Sequence, residues 1–325
     1  MIDRRRFIAL AAASAAVPAL RPHAAQAQAW PNRIVRLIVP NTPGGPVDVV
    51  GRLVGNRLSE IWGQQVIVEN KPGAGSNIGA EAAARSAPDG YTLYMASFSH
   101  GVSRFLYPSL GYDPVVSFEP VTLVSLQPCI MVVPNSSPAR SVTAFIAYAK
   151  EKDGKTSYGS AGSGTALHLA GELFKRMAGI EMTHVPYRTS AINDLIAGRL
   201  DLVFPVVPLA LTVMKAGQVR GLAVTGLERI PQAPELPTIS QAGLPGFNVS
   251  SWFAFFAPAK TPRDIIAKIH GDTAAALADP AVKAKLEQLG VTPVGSTPDE
   301  LARHLQAEME RWGPVIADAK IKIDG

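Results

Sequence analysis

Two short stretches of this 325-residue sequence carry residue types that can bind an anion without a charged side chain. Thr42-Pro43-Gly44-Gly45-Pro46-Val47-Asp48 and Ser160-Ala161-Gly162-Ser163-Gly164-Thr165 each follow a β-rich run and precede a segment of helical period. At such a turn the first backbone N–H groups lack intrahelical partners and the helix dipole is positive, so the main chain alone can hold an oxyanion. Glycine lets the backbone approach closely, and Ser163 and Thr165 add hydroxyl donors. Pro43 has no N–H, so only its neighbours or its carbonyl can contribute. Glycine-rich turns of this kind are common and often bind nothing. One in each half of a two-part protein, both facing the cleft, could pin a carboxylate on each side.

Further candidates sit nearby. Ser97, Ser99 and His100 follow a strand at the sheet edge where ligands of open α/β sheets bind. Arg188, at the end of a strand, offers a bidentate fork to a second carboxylate or is a plain surface arginine. His168 lies one turn into the helix after the second loop and either supports that loop, lines the cleft or faces solvent. Phe204 and Trp252 are candidate apolar walls, although aromatics at such positions more often belong to a core.

Other chemistries find little footing. Gly164 is followed by Thr165 and no lysine, so the second loop is no Walker loop. The run Gly73-Ala74-Gly75-Ser76-Asn77-Ile78-Gly79 misses the dinucleotide fingerprint because its third glycine comes one residue late. No Gly-x-Ser-x-Gly elbow occurs, and no histidine has metal-ligand spacing with a glutamate; a hydrolase or isomerase using His168 with a nearby serine is the weaker alternative. His184 alternates with Val185 in a strand and reads as a satisfied sheet histidine, while His270 and His304 fall on polar faces of the tail helices. Cys129 is the single cysteine, in an apolar run, and reads as a buried small hydrophobe. No metal and no cofactor are expected.

The elements that would position these groups alternate between short β-branched runs and longer helical segments, an α/β pattern of mainly parallel sheets flanked by helices. Strands are expected at 33–39, 65–68, 91–96, 131–134, 156–159, 182–187, 201–207 and 222–225. Helices are expected at 47–62, 78–86, 142–150, 166–178 and 191–197, and the tail adds three more at 262–278, 281–289 and 298–317. A chain of this length usually splits into two lobes. The tail helices cannot bury their apolar faces alone and are assigned to the first lobe. That makes residues 30–131 with 251–325 one lobe and 132–250 the other, joined by at least two crossings, which suits a clamshell.

Residues 1–29 combine a basic start, an apolar run from Phe7 to Leu20 and a small-residue end, the layout of a secretory signal peptide cleaved near Ala27 or Ala29. Arg4-Arg5-Arg6-Phe7-Ile8 also suits the twin-arginine route. The net charge of +5 falls to +2 once the first 28 residues are removed, too weak a field to suggest nucleic acid.

Taken together, several segments resemble the Bug family, the periplasmic substrate-binding receptors of tripartite tricarboxylate transporters. They include Ile38-Val39-Pro40 with Pro43-Gly44-Gly45 and Asp48, then Val68-Glu69-Asn70-Lys71-Pro72-Gly73-Ala74-Gly75, and Ala87-Pro88-Asp89-Gly90-Tyr91-Thr92-Leu93. The likeness continues through Tyr112-Asp113-Pro114, Tyr158-Gly159-Ser160-Ala161-Gly162-Ser163-Gly164-Thr165, His168-Leu169-Ala170-Gly171-Glu172, His184-Val185-Pro186-Tyr187 and Ala242-Gly243-Leu244-Pro245-Gly246. It covers essentially the whole sequence after the leader.

The resemblance implies a Venus-flytrap fold, periplasmic location, no enzymatic activity, a monomer, and delivery of a small organic carboxylate to membrane permease subunits. A sensor presenting its ligand to a signalling protein would use the same chemistry. It also implies a pincer of Thr42, Pro43, Gly44 and Gly45 against Ser163, Gly164 and Thr165, working largely through backbone amides and bridging waters. Asn41 stands where the family usually has an aromatic, Ser103 where asparagine is common, Arg188-Thr189 for the usual Lys-Gly, and Pro205 where an acidic residue is frequent. These departures leave the clamp intact and the rest of the ligand open.

Overall fold

Apolar runs between glycine- and proline-rich turns form the parallel part of the first sheet. In the computed structural model, residues 30–187 and 190–323 are described, and the elements below lie in the unit that begins at Arg33. The leader sequence and Arg188 fall outside the described residues. Val35–Val39 (β1) pairs in parallel with Val66–Asn70 (β2) and Thr92–Ser97 (β3). The connecting helices are Pro46–Trp62 (α1) and Asn77–Ala84 (α2). Helix α1 opens with Pro46, whose missing N–H would have had no intrahelical partner, and stops at Gly63, where φ is 61°. Its Val47, Val50, Val54 and Leu58 recur at helical spacing and are buried. Phe98–Leu106 (α3) follows β3 directly.

Phe118–Pro128 (β4) is the longest strand, and one residue beyond it Ile130–Pro134 (β5) enters a second sheet. That sheet continues through Val142–Glu151 (α4), Ser157–Ser160 (β6), Ala166–Ala178 (α5), Thr183–Pro186 (β7), Ile192–Ile196 (α6), Leu202–Val203 (β8), Val207–Lys215 (α7) and Val219–Val224 (β9). The chain then returns to the first sheet as Ser250–Pro258 (β10), followed by Arg263–Ala278 (α8), Pro280–Gln288 (α9), Thr292–Pro293 (β11) and Pro298–Asp318 (α10). Helices α8 and α10 pack against β4.

The strand orders are β11-β4-β10-β3-β1-β2 and β7-β6-β8-β5-β9. The expectation of mainly parallel sheets is corrected here: among the described residues, four strand pairings are parallel and five antiparallel. A helical crossover over one sheet returns the chain parallel, whereas β4, β5 and β10 arrive from or leave for the other sheet and run the opposite way. The strand expected at 201–207 is limited to Leu202–Val203, because Pro205 cannot donate to a ladder and the chain turns into α7.

Trp252 of β10 and Trp312 of α10 are fully buried, and both indole N–H groups donate to Glu308 Oε2, at 3.1 and 3.0 Å. Arg311 Nη1 donates to the other oxygen at 2.7 Å. His304, expected on a solvated face, instead packs edge-on to Trp252 with ring centroids 5.4 Å apart, because the polar stripe of α10 turns partly toward β10. Glu308→Ala leaves two buried indoles without an acceptor. It is expected to destabilise the fold by about 2–5 kcal/mol, read as a lower midpoint in urea unfolding, with Glu308→Gln intermediate.

Candidate functional site

A cavity of about 470 Å³ opens between the carboxyl ends of strands in the two sheets. Its lining repeats one local motif, the start of a helix. Pro46 and Val47 open α1, Ser76 caps α2, and Ser97 caps α3, with Phe98 and Ser99 in its first turn. From the second sheet come Thr165, the cap of α5, with Ala166 and Leu167, and Val206, the cap of α7. Each helix presents N–H groups without intrahelical partners and the positive end of a dipole. No described residue lining the cavity carries a charged side chain.

The second loop is built to leave particular amides open. Gly162 and Gly164 have φ of 119° and 77°, conformations that favour glycine. The Gly164 N–H donates to His168 Nδ1 at 3.0 Å, and Thr165 Oγ1 donates to Gly162 O at 2.8 Å while accepting from His168 N at 3.3 Å. The Thr165 hydroxyl and the Gly164 amide are therefore engaged within the loop. Ala166 and Leu167 in the first turn of α5, together with Ser163, line the cavity.

Behind the loop, His168 and His184 stack with ring centroids 3.8 Å apart, and His184 Nε2 pairs with Ser160 Oγ at 2.7 Å. His168 Nδ1 accepts a hydrogen bond, so in this arrangement its ring proton sits on Nε2, 3.9 Å from Glu172 Oε1. Burial, then the neighbouring His184 and Lys175, lower the pKa of His168 to about 3. His168 is thus buried and neutral, bonded to the loop from behind, and is not among the residues lining the cavity.

The first loop is braced by Asp48, which is almost fully buried. Its Oδ2 accepts from Gly44 N at 2.9 Å and Arg52 Nε at 3.0 Å, and its Oδ1 accepts from Asn70 Nδ2 at 2.8 Å. Burial alone would raise its pKa, but the hydrogen bonds from Arg52, Gly44 and Asn70 bring the net shift below the ordinary carboxylate value. Thr42, Pro43 and Gly44 are exposed and, like half-buried Gly45, lie off the cavity lining; Asn41, Pro46 and Val47 flank them and line it.

Of the residues singled out in the sequence, the structure brings Ser97, Ser99, Ser163, Gly164 and Thr165 to one cavity. The Ser97 and Ser99 hydroxyls lie 3.0 Å apart and bond each other. Phe204 and Trp252 are fully buried core residues off the cavity, Phe204 packing on Phe174. Cys129 is buried, its thiol pushed up to about 12 by desolvation, and it also borders the cavity. Gln127, Ser251, Phe253, Ser76 and Tyr107 line it as well, and none was anticipated. No local pattern marked the strand residues, because β4 and β10 are covered on both faces and show no period of two. Among the described residues, no group of three or more His, Cys, Asp or Glu is placed to hold a metal ion.

His168 and the fully buried His100, which burial lowers to about 4, both stay neutral in the native state. Above the unfolded value of about 6.5 neither affects stability. As pH falls below it, the unfolded chain takes up protons that the native state refuses, a loss of about 1.4 kcal/mol per pH unit for each group. Urea unfolding is expected to show a less stable protein at pH 5 than at pH 7. His168→Asn, which can keep an acceptor for Gly164 N–H without titrating, should remove part of that slope, whereas His168→Leu should destabilise by about 1–3 kcal/mol at pH 7.

The sequence profile described as "Tripartite tricarboxylate transporter family receptor" matches residues 50–321. A protein encoded in the tcbD-tcbE intergenic region of Pseudomonas sp. strain P51 is 40% identical over 323 residues, 98% of this chain and 96% of its own. An R. palustris protein solved with adipate is 38% identical, with a TM-score of 0.77 over 90% of this chain and 100% of its own. MatC from Rhodopseudomonas palustris, solved with bound malate, is 32% identical, with a TM-score of 0.73 over 88% of this chain and 99% of its own.

Proposed function

Because the chain belongs to the tripartite tricarboxylate transporter receptor family, we propose that its cavity seats the carboxylate of a small organic acid on helix N-terminal amides drawn from both sheets. Members of this family are extracytoplasmic solute-binding receptors, not enzymes, and this protein is one of them. The reading rests on one observation: the starts of five helices meet at a cavity whose described lining bears no charged side chain. Dipoles fixed in direction compensate a buried anion, and without an opposing full charge the ligand can still be released. Adipate and malate in the two solved relatives support a ligand of that size and charge.

The two proposed lobes, 30–131 with 251–325 and 132–250, close on the ligand because only the closed arrangement lets amides of α1, α3 and α5 reach one carboxylate together. Residues 1–29 direct export and are removed near Ala27 or Ala29. The loaded receptor acts as a monomer and delivers its ligand to membrane permease subunits. No helix among the described residues is long and apolar enough to cross a membrane.

The test is thermal unfolding of ligand-free refolded protein against adipate, malate and benzoate. At a hundredfold excess over Kd, a bound acid adds about 2.7 kcal/mol of stability and raises the midpoint. Ser163→Asp places a negative charge at an exposed position lining the cavity, and is expected to abolish the upshift while leaving the ligand-free midpoint within a degree or so. Gly164→Asp is a poorer probe, since its Cβ would stand 2.8 Å from Leu106 Cδ1 at a φ of 77°.

A further inference from the structure

The polar groups of the cavity that do not belong to helix starts are poorly matched by the protein. Gln127 of β4 is 5% exposed and lines the cavity, and its side chain makes no hydrogen bond to a described residue. Ser251 of β10 is its register partner and lines the same cavity. Asn41, at the end of β1, also lines it, and its Oδ1 is buried without a partner. Strand alternation explains the placement. Gln127 and Cys129 on one crossing segment, and Ser251 and Phe253 on the other, point to the same side and form a floor beneath the helix starts.

A carboxamide has two donor hydrogens and an oxygen with two lone pairs, and the Gln127 amide opens onto the cavity, so a ligand that fills the cavity and leaves this group unmatched does so at a cost. A ligand carboxylate only accepts, and its oxygens are claimed by the helix starts. A hydrocarbon body offers nothing. A hydroxyl both donates and accepts, so it satisfies the amide whichever way the nitrogen and oxygen are turned.

Resting on the carboxylate-receptor reading above, we propose that Gln127, with Ser251 beside it, is a specificity-determining residue that reads a hydroxyl on the ligand, so that the preferred ligands are hydroxylated small carboxylates. A site with buried polar groups discriminates strongly against an analogue that leaves them unpaired. The carboxyl group gives entry to the cavity, and the hydroxyl gives preference within it.

The experiment is isothermal titration with matched acids: malate against succinate, lactate against propionate, and 4-hydroxybenzoate against benzoate. The unaltered protein is expected to bind the hydroxylated member of at least one pair about tenfold or more tightly. Gln127→Met keeps the side-chain length without its donors and acceptor. It should reduce that ratio to about threefold or less, with the hydroxylated acid losing more affinity than its unsubstituted partner. Ser251→Ala, a smaller change, should lower the same ratio at least about threefold, and serves if Gln127→Met fails to fold. Equal or weaker binding of the hydroxylated member in every pair, or a ratio unchanged by the variants, overturns the proposal and leaves the carboxylate reading standing. If none of the acids binds, both fall.

Discussion

A dipole acts on an anion only at contact distance and only while its direction is fixed, so a site made of helix starts depends on the rigidity of the turns that carry them. The hydrogen bonds around this cavity maintain that rigidity. Asp48 holds the Gly44 amide, His168 holds the Gly164 amide, and the Thr165 hydroxyl closes its turn on Gly162. The amides thus engaged are lost to the ligand, and those of the first helical turns remain.

The same constraint explains where the full charges lie. Behind the first loop Asp48 is paired with Arg52, and behind the second Glu172 is paired with Lys175 at 3.1 Å. Neither carboxylate projects an unopposed negative charge into the cavity. Tyr158 OH, which donates to Glu172 Oε1, and the neutral histidine stack complete a layer that supports the loop without adding net charge. On the proposed reading, an anion seated in the cavity meets oriented neutral groups.

The strand-to-helix turns were legible because glycine, β-branched runs and helical spacing coincide at 38–58 and 157–178, and α1 and α5 lie where those patterns place them. The centre of the first sheet was not. Strand β4 contains Pro120 and Pro128, and β10 runs Trp-Phe-Ala-Phe-Phe without alternation, since both are covered on both faces and keep no polar side to mark a period of two. Helix α3 was missed for a related reason: it follows β3 with no intervening turn residue. Thr42 to Gly45 were legible as a turn, but which of its residues face inward is set by the Asp48 bonds, and no local pattern encodes that. Gln127 and Ser251 were invisible until the strands bearing them were found.

The position of β10 between β3 and β4 bears on how the chain reaches this structure. Strands β3 and β4 are synthesised well before Ser250–Pro258, with the entire second sheet lying between β4 and its partner in the sequence. Until that late segment inserts, both earlier strands present open edges along apolar backbone, and the loop to be closed is long. High contact order of this kind makes folding slow and leaves intermediates prone to aggregate. A polypeptide that is slow to complete its central sheet keeps those apolar edges open until its last third has been made.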